Sequence, residues 1–197
     1  MRGIAVVKRR LRPHNLFMTS RIRKVPAVSA SNPLLQDFDL PSYSLIKPEH
    51  VEPAIEQILA DNRAAMSRLL EQQAADPSWD GLVLALDELG ARLGQAWSPV
   101  SHLNAVCNSA ELRAAYEACL PKLSEYWTEI GQNQPLFQAY QKLAASPAAA
   151  GFDVAQKTIL EHALRDFRLS GIDLPAEQQK RYGEIQMKLS ELASRFS

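Results

Sequence analysis

The sequence predicts an all-α fold, an irregular multi-helix array with short connections. Past residue 47, apolar residues recur at spacings of three and four through almost every segment. No segment alternates apolar and polar residues with the β-branched enrichment that a half-buried strand needs. Between the periodic segments stand short groups of Pro, Gly, Ser and Asn, which are start and stop signals. No fixed-period repeat is evident, which argues against a regular solenoid. The 197 residues, 46% hydrophobic and 22% charged, suffice for one substantial core.

The first thirty residues stand apart. They hold Arg2, Lys8, Arg9, Arg10, Arg12, Arg21, Arg23 and Lys24 and no acid, a charge of +8 that the rest of the chain balances with −8. Such an arm reads as a disordered extension, with Met18 a candidate internal start, or alternatively as an organellar targeting peptide. A nucleic-acid tether is a weaker reading, because Phe17 is the arm's one aromatic for stacking bases and the remainder carries the opposite charge. No nucleic-acid partner is therefore expected. No apolar run approaches the roughly 18 residues that span a membrane, so none is expected as a partner either.

Residues 31–47 are punctuated by Pro33 and Pro41, with Pro48 following. They read as an extended lead-in whose Leu34, Leu35, Phe38, Leu40, Tyr43 and Ile46 pack onto the helices that follow. A helical domain is expected over 48–197. Pro48 suits a first helical position, with Glu49 and Glu52 in the first turn, and the helix should run to about Gln73. Val51, Ile55, Ile58, Met66 and Leu69 form its stripe, and Asn62 falls among them as a buried, hydrogen-bonded amide. Ser78 caps the next helix, Trp79 to about Gln95, with Leu82, Leu86, Leu89 and Leu93 on one face. Ser98-Pro99 should open a separate short helix through Cys107.

Asn108 with Glu111 three residues on reads as a capping box for a helix bearing Leu112, Tyr116, Cys119, Leu123, Tyr126 and Ile130. Pro121 should kink or restart it. After a break at 131–135 comes a helix from Leu136 to about Ala145, then a linker over 146–151, then a helix from about Asp153 to Leu169. Gly171 stands where a left-handed cap is wanted, and Asp173 should cap the last helix with Pro175 in its first turn. Tyr182, Ile185, Leu189, Leu192 and Phe196 form that helix's stripe. It still runs at Ser197 without a stop signal, so the array is expected to be incomplete at its C-terminal end.

Sites of known chemistry are not evident. The four histidines, at 14, 50, 102 and 162, include no pair one helical turn apart, and there is no His-Glu-x-x-His to grip zinc and activate water. No Gly-rich phosphate loop, Gly-x-Ser-x-Gly or Cys-x-x-Cys occurs. No catalytic, metal-binding or cofactor-binding residue is assigned. His102 and His162 read as structural or surface residues, and Cys107 and Cys119 as reduced, buried thiols of a cytoplasmic protein.

Two stretches carry a resemblance. Asn32-Pro33-Leu34-Leu35 with Ile46-Lys47-Pro48-Glu49-His50-Val51-Glu52-Pro53-Ala54-Ile55, and residues 159–197, resemble the N-terminal region of the thimet oligopeptidase and neurolysin family of zinc metallopeptidases, in its bacterial oligopeptidase A branch. Arg165-Asp166-Phe167-Arg168-Leu169-Ser170-Gly171-Ile172-Asp173-Leu174-Pro175 is the most specific run, and the likeness extends over roughly 31–197. It implies an N-terminal fragment whose catalytic part, with its zinc, lies downstream, and whose helices form one wall of a channel that admits short peptides. No position here matches the family's catalytic or metal-binding motifs, so none is carried over. The alternative is a stand-alone helical protein-interaction module without catalytic activity.

Overall fold

The computed structural model describes residues 32–196; the basic arm, with the readings placed on it, lies outside the described residues. Two short 3-10 turns, Pro33–Leu35 and Tyr43–Leu45, precede six helices. These are α1 (Pro48–Gln72), α2 (Ala85–Val106, entered through a π-helical turn over Trp79–Leu84), α3 (Ala110–Gly131), α4 (Gln134–Ala144), α5 (Val154–Leu169) and α6 (Ala176–Phe196). No strand occurs among the described residues. The all-α expectation holds.

The helices enclose two cores, and α1 runs through both. Its first half sends Val51, Ala54, Ile55, Ile58 and Leu59 into a core completed by Leu93, Ala96 and Val100 of α2 and by Leu112, Cys119, Leu123 and Tyr126 of α3. Its second half sends Met66 and Leu69 into another, with Leu82, Val83, the α4 residues Leu136, Phe137, Tyr140 and Leu143, and Leu160, Phe167 and Ile172. Ile130 packs against both. Asn62, 1% exposed, sits in α1 between the two sets. Its amide donates to the Leu89 carbonyl of α2 at 3.1 Å and to the Tyr126 hydroxyl of α3 at 3.3 Å. A buried amide without such partners would lose its hydration uncompensated.

The lead-in is anchored at both ends. Asn32 accepts from the Leu34 amide and donates to the His50 carbonyl at 2.8 Å, joining the Asn-Pro-Leu-Leu motif to the start of α1. Leu34 is buried, and Leu35 and Ile46 pack on the first core. Leu40 and Tyr43, expected to pack inward, are exposed, as is Leu45. The segment is held by its two ends and by the Gln95 side chain, which donates to the Phe38 carbonyl.

Several boundaries differ from the sequence expectation. Helix α2 does not stop near Gln95 but continues through Pro99 to Val106. Ala96, Pro99 and Val100 are all buried there. An interior proline costs about 3 kcal/mol, which burial of that face against α1 and α3 offsets. Pro121 likewise leaves α3 unbroken. The α3 cap is Ser109 rather than Asn108: its hydroxyl accepts from the Leu112 amide at 3.2 Å. Asn133 caps α4, which begins at Gln134, two residues earlier than expected. The 146–151 linker contains a 3-10 turn, Pro147–Gly151. Asp153 and Gln156 form a reciprocal capping box at α5.

Replacing Asn62 by Ala removes the one donor serving both Leu89 and Tyr126 and should destabilise the chain by about 1–3 kcal/mol. Tyr126→Phe, which leaves the bond to Leu89 in place, should cost less. Urea unfolding midpoints of the two variants check the order.

Candidate functional site

The stretch Arg165–Pro175 is a turn that sets the direction of α6. Gly171 has φ +84°, the left-handed cap the sequence predicts. The Ile172 amide bonds back to Phe167 O at 3.1 Å and the Gly171 amide to Arg168 O at 3.0 Å, the paired closure of a Schellman cap. Phe167 and Ile172 are buried together beneath it. Asp173 does not cap α6. The first helical bond is Gln179 N–H to Pro175 O, so Pro175 is the capping residue, and Asp173 faces Arg168 at 3.9 Å.

Two glutamines hold this turn in place. Gln132, at the end of α3, donates to Ser170 O at 3.0 Å and Gln179 O at 3.3 Å. Gln179 donates back to Ile172 O and Leu174 O at 3.1 and 3.0 Å. Gly131 admits the close approach, since a Cβ there would lie 2.6 Å from the Ser170 side chain. Neither glutamine carried a signal in the sequence: each works through backbone carbonyls brought near by the fold.

So directed, α6 lies on α3 by an unexpected face. The residues it half-buries are Gln179, Tyr182, Gly183, Gln186, Ser190 and Ser194. They are mostly small or polar, because the helices approach closely: a Cβ on Gly183 would meet the Thr128 methyl at 3.6 Å. Of the apolar stripe expected to pack, only Tyr182 is half-buried; Ile185, Leu189, Leu192 and Phe196 are exposed. Tyr182 and Leu189 of the stripe border a cleft of about 680 Å³ walled by α2 and α6 and floored by α3. Its lining includes Gly90, Gly94, Trp97, Trp127, Tyr182 and Leu189. A neighbouring cleft of about 520 Å³, against α4 and α5, shares Gly90, Trp127 and Ser170 with it.

Among the described residues, those lining the α2–α6 cleft are uncharged, whereas Asp87 and Asp166 border the neighbouring one. Lys122 places its ammonium between Glu52 and Glu56, whose hydrogen bonds, Glu52's first, raise its pKa. Arg63 pairs in a fork with Glu129 at 2.7 and 3.0 Å, which raises the guanidinium pKa, and its side chain lies 5.7 Å from the Tyr126 ring. The α3 N-terminal amide and the Ser109 hydroxyl hold the Glu111 carboxyl below its usual range. Burial pushes the Cys119 thiol up to about 11, with Glu52 adding to the shift. Burial similarly raises Tyr140, to about 12, and Tyr126. Cys107, expected to be buried, is exposed just past the end of α2.

The histidines are dispersed. His50 Nδ1 accepts from the Lys47 amide at 3.2 Å, His102 lies against the Tyr43 ring, and His162 is exposed on α5. Among the described residues no group of three or more His, Cys, Asp or Glu could hold a metal ion. The described residues therefore do not fit a zinc site. Nor is any described helix long and apolar enough to cross a membrane.

A family profile describing the N-terminal domain of neurolysin/thimet oligopeptidase matches residues 55–179, from within α1 into the start of α6. The chain belongs to this family. Over 170 residues it is 51% identical to oligopeptidase A of Haemophilus influenzae, a match covering 86% of this chain and 25% of that protein. Oligopeptidase A of Escherichia coli is 50% identical over 167 residues, covering 85% and 24%. A probable cytosolic oligopeptidase A of Arabidopsis thaliana is 33% identical over 168 residues, with 85% and 24% covered. The chain thus spans about a quarter of the length of these neurolysin/thimet oligopeptidase relatives.

Thiol titration at pH 8 should count one reactive group per native chain, Cys107, and two after unfolding. The Cys119 proton is held in the fold, while the unfolded thiol loses it above about pH 8.5. Stability is therefore complete below that pH and declines as pH rises towards 11. Urea midpoints at several pH values should show the decline, and Cys119→Ala should flatten it below the range where Tyr126 and Tyr140 titrate.

Proposed function

We propose that this chain is the N-terminal helical region of a zinc-dependent metallo-oligopeptidase of the oligopeptidase A type. In this reading it supplies one wall of a channel through which short peptides reach a catalytic centre on polypeptide that follows. The carrying observation is the combination of about 50% identity over most of this chain with coverage of only a quarter of each bacterial relative. The chemistry, peptide-bond hydrolysis by zinc-activated water, belongs to that further polypeptide. The two free thiols and the likeness to a probable cytosolic relative support a cytoplasmic setting.

The helices described here suit the role of a wall. They are long, they are held in register by buried polar contacts, and their direction is set by a rigid turn between α5 and α6. A wall limits substrate size by steric exclusion, which calls for rigidity rather than reactive groups.

An antibody against residues 150–197, applied to extracts of the source cells, should detect a polypeptide about three and a half times the length of this chain. A band at 21.9 kDa would overturn the proposal and favour a stand-alone interaction module. The 197-residue chain alone should hydrolyse no peptide, with or without added zinc. Stoichiometric zinc uptake accompanied by turnover would contradict the assignment of catalysis elsewhere.

A further inference from the structure

The groove between α2 and α6 has features that an unspecific surface lacks. Its floor carries Trp127, 52% exposed, and its α6 wall Leu189, 54% exposed, so large apolar groups face water in one patch. On the α2 wall Gly90 and Gly94 stand one helical turn apart, and a Cβ built on either meets nothing within 4 Å. A turn-spaced pair of glycines beside an open groove lets another backbone come closer than the usual 8–10 Å between helix axes. Both walls and the floor are helices whose main-chain groups are largely engaged in their own ladders, so there is no row of free donors and acceptors for an extended peptide. A helix brings its backbone bonds with it and needs only apolar surface from the groove.

We propose that this groove is the seat of an amphipathic helix supplied by the polypeptide that follows this region in the family-length protein. The proposal rests on the reading given above and adds which surface is internal. The occupant presents small residues to Gly90 and Gly94, and aliphatic or aromatic ones to Trp127, Tyr182 and Leu189. The relatives, about four times as long as the matched segment, contain ample chain to provide it. It follows that the α2–α6 face is buried in the whole protein and that the peptide-facing wall is a different surface of this array.

The test compares the 197-residue chain with a hybrid in which residues 32–196 replace the matching segment of Escherichia coli oligopeptidase A. In a Cys107→Ser background, Leu189→Cys reports on the groove and Val154→Cys on exposed α5 surface far from it. In the short chain both should react with a maleimide at similar rates. In the hybrid Leu189→Cys should react about tenfold more slowly or less, and Val154→Cys should be unchanged. Equal labelling of Leu189→Cys in both proteins would overturn the proposal. Protection that appears only when tryptic casein peptides are added would also overturn it, because the groove would then be a substrate site.

Gly94→Leu gives an independent reading. With nothing near its Cβ, it should raise or preserve the melting temperature of the short chain, since leucine favours helix, yet lower that of the hybrid. A parallel effect in both would count against a seated helix. Peptidase activity of the hybrid reads the proposed function separately: an active hybrid with an unprotected Leu189→Cys loses this inference alone. Should the hybrid not fold, cysteines at the aligned positions of the Escherichia coli protein itself carry the same comparison.

Discussion

The architecture depends on one long helix serving two cores. Helix α1 carries apolar side chains into the first core with its N-terminal half and into the second with its C-terminal half. At the changeover Asn62 ties α1 to α2 and α3 through two hydrogen bonds. Apolar contacts alone would tolerate sliding by a turn, because one aliphatic stripe resembles the next. A buried amide with two designated partners does not, since any slip strands it in an apolar medium. The relative positions of α1, α2 and α3, and so the floor and one wall of the groove, are fixed at this point.

The second determinant is the turn between α5 and α6. Only glycine adopts φ +84° without strain, and Gly171 does so. Gln132 and Gln179 then occupy carbonyls that the reversal leaves exposed. The Arg165–Pro175 run encodes a fixed change of direction, and α6 inherits its position from it. The outer face of α6 keeps its apolar residues in water while its small and polar face meets α3, an arrangement suited to a layer that receives another layer.

The ion pairs also tie helices together. Lys122 between Glu52 and Glu56, and Arg63 against Glu129, link α1 to α3 on surfaces partly open to solvent, where such pairs contribute modestly. They favour the register that Asn62 imposes. None lies in the α2–α6 groove, and that separation of charge from apolar surface supports reading the groove as a packing face.

Periodicity and punctuation in the sequence were enough to determine the all-α class, the approximate place of most helical segments and the Gly171 cap, because these rest on local backbone preference and on the 3.6-residue repeat. Asn62 was legible for the same reason: an amide inside an apolar stripe has to be buried and bonded. Tertiary structure alone decided that Pro99 and Pro121 lie within continuous helices, since burial and packing along the whole helix outweigh a local breaking tendency. It also decided that Cys107 is exposed while Cys119 is buried, and that α6 packs by Gly183 and Ser190 rather than by Leu189 and Leu192. A helix's apolar stripe tells which face seeks a partner, but not whether the partner is α3 or another layer. That choice is made by how closely two backbones can approach, which depends on residues far apart in the chain.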